Sequence, residues 1–356
     1  MSKIKSYNFV LPSLKISGGI KETLKLANEV KVLGREVNFF IMWVSPNEIS
    51  DEVPRVNYLS KFKTNARFVF FQFPFIFFKL AFLFAVRINR ARDQIWIFTH
   101  YTTFPLSLMV PRNKRVFFVQ GMEWNFVKNK IISALLRRFI LYFYKGSIVV
   151  TANRYLSLGM EARKIKVYTE LPIWADIQFL TDAFENRYID FVMVLRKGGA
   201  KRIDLYLEFI HKSKEQGKQW TFAVITPDNE LAKIVSPIVE ECYIKPSILE
   251  MSDVYSRSKF FLMMSDHEGF GLPPLEAMGA GCVPICRDAG GIHAYMLGGL
   301  KELVLPLELD ISGIISFAND LLIKNEWFRY SSMAKKVFMD GVDQSRNRAQ
   351  DLMKLI

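Results

Sequence analysis

Asp266 to Gly291 reads DHEGFGLPPLEAMGAGCVPICRDAGG, and the fold follows from what surrounds its glycine loop. The run Phe260-Phe261-Leu262-Met263-Met264 comes just before it. An uninterrupted apolar run of this length reads as a parallel strand buried on both faces. Pro273 and Pro274 suit a first helical turn, which Leu275-Glu276-Ala277-Met278 continues. The order is therefore strand, glycine loop, helix N-terminus. Gly269 and Gly271 let the backbone approach a ligand, and the free N–H groups and dipole of the helix attract an anion such as a pyrophosphate. Glu268 and Glu276 are separated by seven residues. Carboxylates so placed can each hold a pair of hydroxyls, and a sugar and a ribose both present such pairs. The plain alternative is an ordinary strand–loop–helix unit with a solvated Glu268.

This segment resembles the E-x7-E signature of retaining glycosyltransferases of the GT-B fold, glycosyltransferase family 4 in particular. Both glutamates, the GFGLP loop, the EAM that follows and Gly290-Gly291 fall in family-like places. The resemblance implies an α/β protein of GT-B architecture, with two Rossmann-like domains whose parallel sheets face an interdomain cleft. It is strongest over 247–291 and good over 190–205, where DFVMVLRKGGAKRID carries an arginine and, five residues later, a lysine.

Residue by residue, the resemblance implies that Arg196 and Lys201 grip a donor diphosphate. Two fixed cations beside a glycine loop offset a pyrophosphate's charge and stabilise it as it leaves. It likewise implies Glu276 on ribose hydroxyls, Glu268 on the donor sugar, and Gly269, Phe270, Gly271 and Leu272 around the donor. The family usually has glycine at the positions of Leu195 and Arg202. Gly18-Gly19 matches a glycine pair after the first strand, close to the donor phosphate. Many members have a histidine after the strand expected at 115–119. Here Gln120 stands there, able to hydrogen-bond a sugar but not to carry a charge. The form Gln120-x-x-Glu123 resembles rhamnosyltransferase-like members. His100, at the end of the preceding strand, is a further catalytic candidate or a satisfied structural residue. The usual Asn-Gly after the last strand of the first domain is replaced by Glu170-Leu171-Pro172.

Length and composition agree with two domains: 356 residues suffice for two separate cores. Three cysteines, Cys242, Cys282 and Cys286, give no disulfide framework, as expected in a reducing cytoplasm. The four histidines show no metal-ligand spacing. Neither a metal nor a cofactor is implied beyond a nucleotide diphosphate sugar as co-substrate. The stretch MSKIKSYNFVLPSL has no apolar run long enough for a secretory signal.

Charge is divided unevenly. Residues 1–170 hold 27 Lys and Arg against 10 Asp and Glu, and residues 171–356 hold 21 against 25, giving a net +13. A basic first half implies a polyanionic partner, either nucleic acid or an anionic membrane. Residues 68–86, FVFFQFPFIFFKLAFLFAV, decide between them. Their nine phenylalanines form a greasy block, followed by Arg87, Arg90 and Arg92. Stacking on bases does not need such a block. Interruptions at Gln72, Pro74 and Lys79 favour a helix lying in a membrane interface over a span or a buried helix. The segment 127–146 is also basic and apolar at helical spacing. An anionic membrane surface contacted through 68–92 and 127–146 is expected, and no nucleic acid.

Along the chain, strands are expected at Tyr7–Leu11, Val37–Trp43, 94–99, 115–119 and 147–151, and again at Ile189–Leu195, Trp220–Thr226, Lys259–Met264, Val283–Cys286 and Leu303–Leu305. Helical patterns lie between them, notably 21–33 and 203–215, and the chain ends in helices at 310–323, 326–338 and 344–355. The alternation argues for parallel sheets with crossover helices. The expected organisation is a first domain over 1–172, a second over 187–338, and a helix over 339–356 returning to the first. The function implied is retaining, metal-independent transfer of a sugar to a lipid-linked or cell-surface glycan, on the cytoplasmic face of the membrane. Polysaccharide, O-antigen or capsule synthesis would be the setting. A catalytically silent scaffold and an enzyme acting on soluble acceptors are the alternatives.

Overall fold

The glycine pair Gly18-Gly19 follows the first strand of one sheet, and the loop with Gly269 and Gly271 follows the fourth strand, in chain order, of a second. The computed structural model describes residues 6–12, 18–41, 56–58, 94–127, 129–181 and 187–355. The phenylalanine-rich segment 68–86, with Arg87, Arg90 and Arg92, lies outside them. The chain divides into two compact units, Met1–Ile173 with Arg346–Ile356, and Trp174–Ser345.

The first unit holds a seven-stranded sheet in the order β3-β2-β1-β4-β5-β6-β7. Its strands are β1 (Ser6–Leu11), β2 (Glu36–Ile41), β3 (Val56–Tyr58), β4 (Gln94–Phe98), β5 (Arg115–Val119), β6 (Ile148–Thr151) and β7 (Val167–Glu170). Every pairing is parallel. Phe9 is in register with Phe39 on one side and Ile97 on the other. All three are buried, as strands covered on both faces require. Helix α1 (Gly18–Val32) turns Ile20, Leu26, Ala27 and Val30 inward, and Gly34 in the left-handed region lets the chain leave it. Helix α2 (Lys130–Tyr144) starts at Asn129, whose side chain accepts from the N–H groups of Ile131 and Ile132. Asn153 does the same for Leu156 in α3 (Arg154–Glu161).

The last helix, Arg348–Lys354, belongs to this unit, although it follows the whole second unit in sequence. Arg348 is buried and donates to Glu29 at 2.7 and 2.9 Å, to Glu22 at 3.2 Å and to the Pro172 carbonyl at 3.0 Å. One guanidinium thus ties the chain end to two turns of α1.

The second unit holds a six-stranded parallel sheet in the order β10-β9-β8-β11-β12-β13. Its strands are β8 (Ile189–Val194), β9 (Phe222–Thr226), β10 (Glu241–Ile244), β11 (Ser258–Met263), β12 (Val283–Arg287) and β13 (Val304–Leu305). The helices are α4 (Ile203–Glu215), α5 (Asn229–Val235), α6 (Ile248–Arg257), α7 (Leu272–Gly279), α8 (Ile311–Ile323) and α9 (Trp327–Ser345). Phe191 stacks between Phe222 and Phe260 across three strands, both at 5.9 Å between centroids. Ser247 and Glu250 form a reciprocal capping box at the start of α6.

Two details depart from the sequence reading. Strands β3, β7 and β10 have three or four residues each, too short to show a period. Helix α9 runs to Ser345 instead of stopping near 338. Gly341 lies inside it because the Trp174 ring packs there: a Cβ at Gly341 would come within 2.0 Å of that ring.

In both sheets the strand order reverses once, between β1 and β4 and between β8 and β11. Ligands of open parallel sheets bind beyond the carboxyl ends of the strands at such a switch point. The loops there carry Gly18-Gly19 and His100 in the first unit, and Arg196, Lys201 and Glu268 in the second.

Candidate functional site

Val194 ends β8, and the chain passes through Leu195, Arg196 and Lys197 into a tight turn at Gly199–Lys201 before α4. Arg196 is exposed. Lys201 donates to Glu268 Oε1 at 2.7 Å, with side-chain exposures of 37% and 13%. The structure therefore joins the cation implied for the diphosphate to the carboxylate implied for the sugar. Arg202 stands where the family usually has glycine, and it keeps a left-handed backbone with φ 49° and ψ 53°. Side-chain contacts hold it there. Its guanidinium donates to Asp204 at 2.8 Å and to Asp266 at 3.2 Å. Leu195, the other position with family glycine, is buried in the core.

Asp266 begins the loop that bears Glu268. Its N–H donates to the Ala200 carbonyl at 2.8 Å, and its carboxylate accepts from Arg202 and from the buried Arg287 at 2.7 Å. Arg287 also reaches the Met264 and Leu307 carbonyls. The loops after β8 and β11 are thus fastened by one carboxylate between two guanidinium groups. No local spacing announces this set, whose members lie 64 and 21 residues apart.

The Glu268 backbone is held as firmly as its side chain. Its N–H donates to the Ala289 carbonyl at 2.8 Å, and its carbonyl accepts from Gly291 N–H at 3.2 Å. Glu268 and Gly290 form a parallel bridge. A Cβ on Gly291 would lie 2.4 Å from the Gly269 carbonyl oxygen and 2.7 Å from that of Glu268, so only glycine fits. Gly271 is left-handed at φ 80°, and its carbonyl accepts from the Tyr295 hydroxyl at 2.6 Å. It precedes α7, whose first turn includes Pro273 and Pro274. Prolines have no N–H, so the donors there narrow to Gly271 and Leu272. The Phe270 ring is buried, edge-on to Tyr295 at 5.5 Å and to Trp174 at 6.1 Å.

Glu276 lies half-buried on α7. Tyr255 and Tyr295 are buried, and their hydroxyls are pushed well above the ordinary value by burial. Charge from Glu276 adds to the shift at both, and charge from Glu268 adds at Tyr295. Burial pushes the Cys282 thiol up to about 12 and also raises Cys286, which leaves both as packing residues. Arg187, at the expected start of the second domain, is a buried staple that donates to the carbonyls of Tyr255, Ser258 and Ala280.

In the first unit, Gly18 opens α1 and Gly19 lies against Gln120. A Cβ on Gly19 would meet Gln120 Oε1 at 2.6 Å. Gln120 Nε2 donates to Thr23 Oγ1 at 2.7 Å, and that hydroxyl donates to the Gly19 carbonyl at 2.9 Å. Thr23 escaped the sequence reading but joins the glycine pair to Gln120. His100 caps the 3-10 helix Tyr101–Met109, with Nδ1 2.8 Å from Thr102 Oγ1. Burial lowers its pKa, favouring neutral imidazole. Glu123 is half-buried, and its Oε2 has no hydrogen-bond partner among the described residues. Burial, partly offset by a backbone hydrogen bond, pushes it up to about 7.

Among the described residues no three His, Cys, Asp or Glu side chains are grouped to hold a metal ion, and no helix is long and apolar enough to cross a membrane.

Residues 187–320 match the family model described as Glycosyl transferases group 1. The whole chain superposes on S. aureus TarM, in a variant bound to Fondaparinux, alpha-GlcNAc-glycerol and UDP, with a TM-score of 0.72, 10% identity and 99% of both chains covered. It also superposes on WaaG, a glycosyltransferase involved in lipopolysaccharide biosynthesis, with a TM-score of 0.69, 10% identity, and 98% of this chain and 99% of that one covered. The fold is GT-B. Among curated proteins, "Putative glycosyltransferase 41" of Sulfolobus islandicus filamentous virus (isolate Iceland/Hveragerdi) is 56% identical over 45 residues, which is 13% of this chain. The chain aligns with 14% and 16% of the length of the two curated relatives it matches.

Proposed function

We propose that this chain is a glycosyltransferase that moves a sugar from a nucleotide diphosphate sugar to a glycan acceptor. One observation carries the reading. At the switch point of the second sheet, Lys201 and Glu268 meet at 2.7 Å, beside the loop that leads to the N-terminus of α7. That arrangement offers cations and amides to a diphosphate and a carboxylate to sugar hydroxyls. Its location within the span matching glycosyl transferases group 1 supports the same reading.

In this account Arg196, Lys201 and the Gly271 and Leu272 amides hold the diphosphate, and no divalent metal is invoked. Glu276 takes the ribose hydroxyls and Glu268 the donor sugar. We assign Gly18 and Gly19 to the donor phosphate and acceptor and Gln120 to the donor sugar, with His100 as a further catalytic candidate. The bond between the anomeric carbon and the phosphate oxygen breaks, and one to the acceptor oxygen forms on the same face. The leaving phosphate accepts the acceptor proton, so no separate base is required. Positive charge aimed at the leaving oxygens lowers the barrier because it strengthens as that charge develops.

We further propose a lipid-linked or cell-surface glycan as acceptor, and a peripheral position on the inner face of the cell membrane. The basic first half of the chain supports this reading. The test is to incubate the protein with a panel of nucleotide sugars and follow release of nucleoside diphosphate, with NMR on the sugar product. Release of the α-sugar from an α-linked donor is expected. No release or transfer from any donor would leave a GT-B scaffold without activity.

A further inference from the structure

Helix α2 faces the wrong way for an ordinary surface helix. Of its residues only Ile140, Phe143 and Tyr144 are buried. A second apolar stripe, Ile131, Leu135, Phe139 and Tyr142, runs at i, i+4, i+8 and i+11. Ile131 is 73% exposed, Leu135 63% and Tyr142 66%. Residues at these spacings share one face, so apolar surface is directed outward. A shallow groove of about 780 Å³ runs along this face, with Lys130, Arg137, Arg138, Lys145 and Arg163 on its walls. From Trp124 to Met160 the sequence has no acidic residue and six basic ones.

We infer that this face of α2 is a docking surface for an anionic lipid bilayer. The apolar stripe enters the acyl boundary, and the groove takes a lipid phosphate between the Arg137, Arg138 and Arg163 side chains. The inference rests on the membrane-associated reading above and assigns it to one helix. Charge complementarity selects the occupant. Two copies placed face to face would set like charges against each other. Nucleic acid would match the charge but leave Ile131 and Leu135 in water. Only a bilayer offers anionic groups over an apolar layer in the order that this helix presents them.

The test uses the full chain and two kinds of vesicle, phosphatidylcholine alone and phosphatidylcholine with part replaced by phosphatidylglycerol. The protein should co-sediment with the second far more than with the first, and salt should weaken binding. Replacing Arg137 and Arg138 by glutamine should lower partitioning about 25-fold, at roughly fivefold for each basic residue near an anionic surface. Ile131→Ser with Leu135→Ser and Tyr142→Ser should also release the protein, and the lost binding should persist at low salt. All five side chains are exposed, so thermal melting and release of nucleoside diphosphate from a soluble donor should be unchanged. Binding to anionic vesicles that neither variant weakens would overturn the inference by placing the contact elsewhere. No vesicle binding at all would overturn the membrane reading with it. Self-association or nucleic-acid binding abolished by the same substitutions would assign the face to a different partner. None of these failures would touch donor chemistry.

Discussion

The Lys201 ammonium and the Glu268 carboxylate are 2.7 Å apart, each the counter-charge of the other. They lie on loops after two neighbouring strands, β8 and β11, and Asp266 fastens those loops between Arg202 and Arg287. A pair placed between exposed and buried contributes more than a surface ion pair, and removing one member leaves the other's charge unmatched. A double-mutant cycle with Lys201→Met and Glu268→Gln should give a coupling of about 1–2 kcal/mol in urea unfolding. Additive effects would mean that the contact is not energetically coupled.

The two glutamates should separate binding from turnover. Glu276→Ala should weaken nucleoside diphosphate binding, since ribose is present in substrate and product alike. Glu268→Ala should lower turnover more than nucleoside diphosphate affinity. Losing a hydrogen bond to a charged group costs about 1.5–3 kcal/mol, roughly ten- to a hundredfold. Titration calorimetry and steady-state kinetics on both variants give the comparison. Equal losses of nucleoside diphosphate affinity would refute the division of roles.

Gly291→Ala should damage the fold and the site together. The added methyl would meet the Gly269 and Glu268 carbonyls at 2.4 and 2.7 Å, and backbone cannot yield as a flexible side chain can. A loss of about 1–3 kcal/mol is expected for overpacking of this kind, with turnover falling as Glu268 is displaced. Full stability in chemical denaturation, measured alongside full activity, would contradict this.

The fold class was legible because buried parallel strands leave uninterrupted apolar runs. The run Phe260–Met264 overlaps β11, and RVFFV coincides with β5. β10 was missed because ECYI is a short, half-buried edge strand without alternation. At the candidate site, the glycines could be read because the left-handed backbone at Gly271 and the close carbonyls at Gly291 demand that residue type. Arg287, Asp266 and Thr23 could not. They act through partners distant in sequence, and only the folded chain brings these together. Arg202 shows the limit of reading by type. It occupies a left-handed position that glycine would fill without strain, and its partners Asp204 and Asp266 hold it there. The phenylalanine block 68–86 lies outside the described residues, and α2 carries the membrane inference without it.

Stability should depend on pH through Glu123. Its carboxyl is held up at about 7 against an ordinary 4.5. Between those values the folded chain keeps a proton that the unfolded chain has released. Stability should therefore fall as pH rises through this window and level off above it, with a total cost on the order of 3 kcal/mol. Glu123→Gln, which carries no charge, should flatten the profile and raise the melting temperature at pH 8. An unchanged profile would mean that the carboxyl ionises normally.

The central claim is that Arg196, Lys201 and the start of α7 hold a nucleoside diphosphate without a metal. Thermal melting with UDP, GDP, dTDP and ADP, in EDTA, tests it most directly. A ligand that binds only the folded chain stabilises it by an amount that grows with its concentration over its dissociation constant. One of the four should raise the melting temperature in EDTA, and Arg196→Ala should abolish the rise. No rise with any of the four, or a rise that requires magnesium and survives Arg196→Ala, would contradict the account.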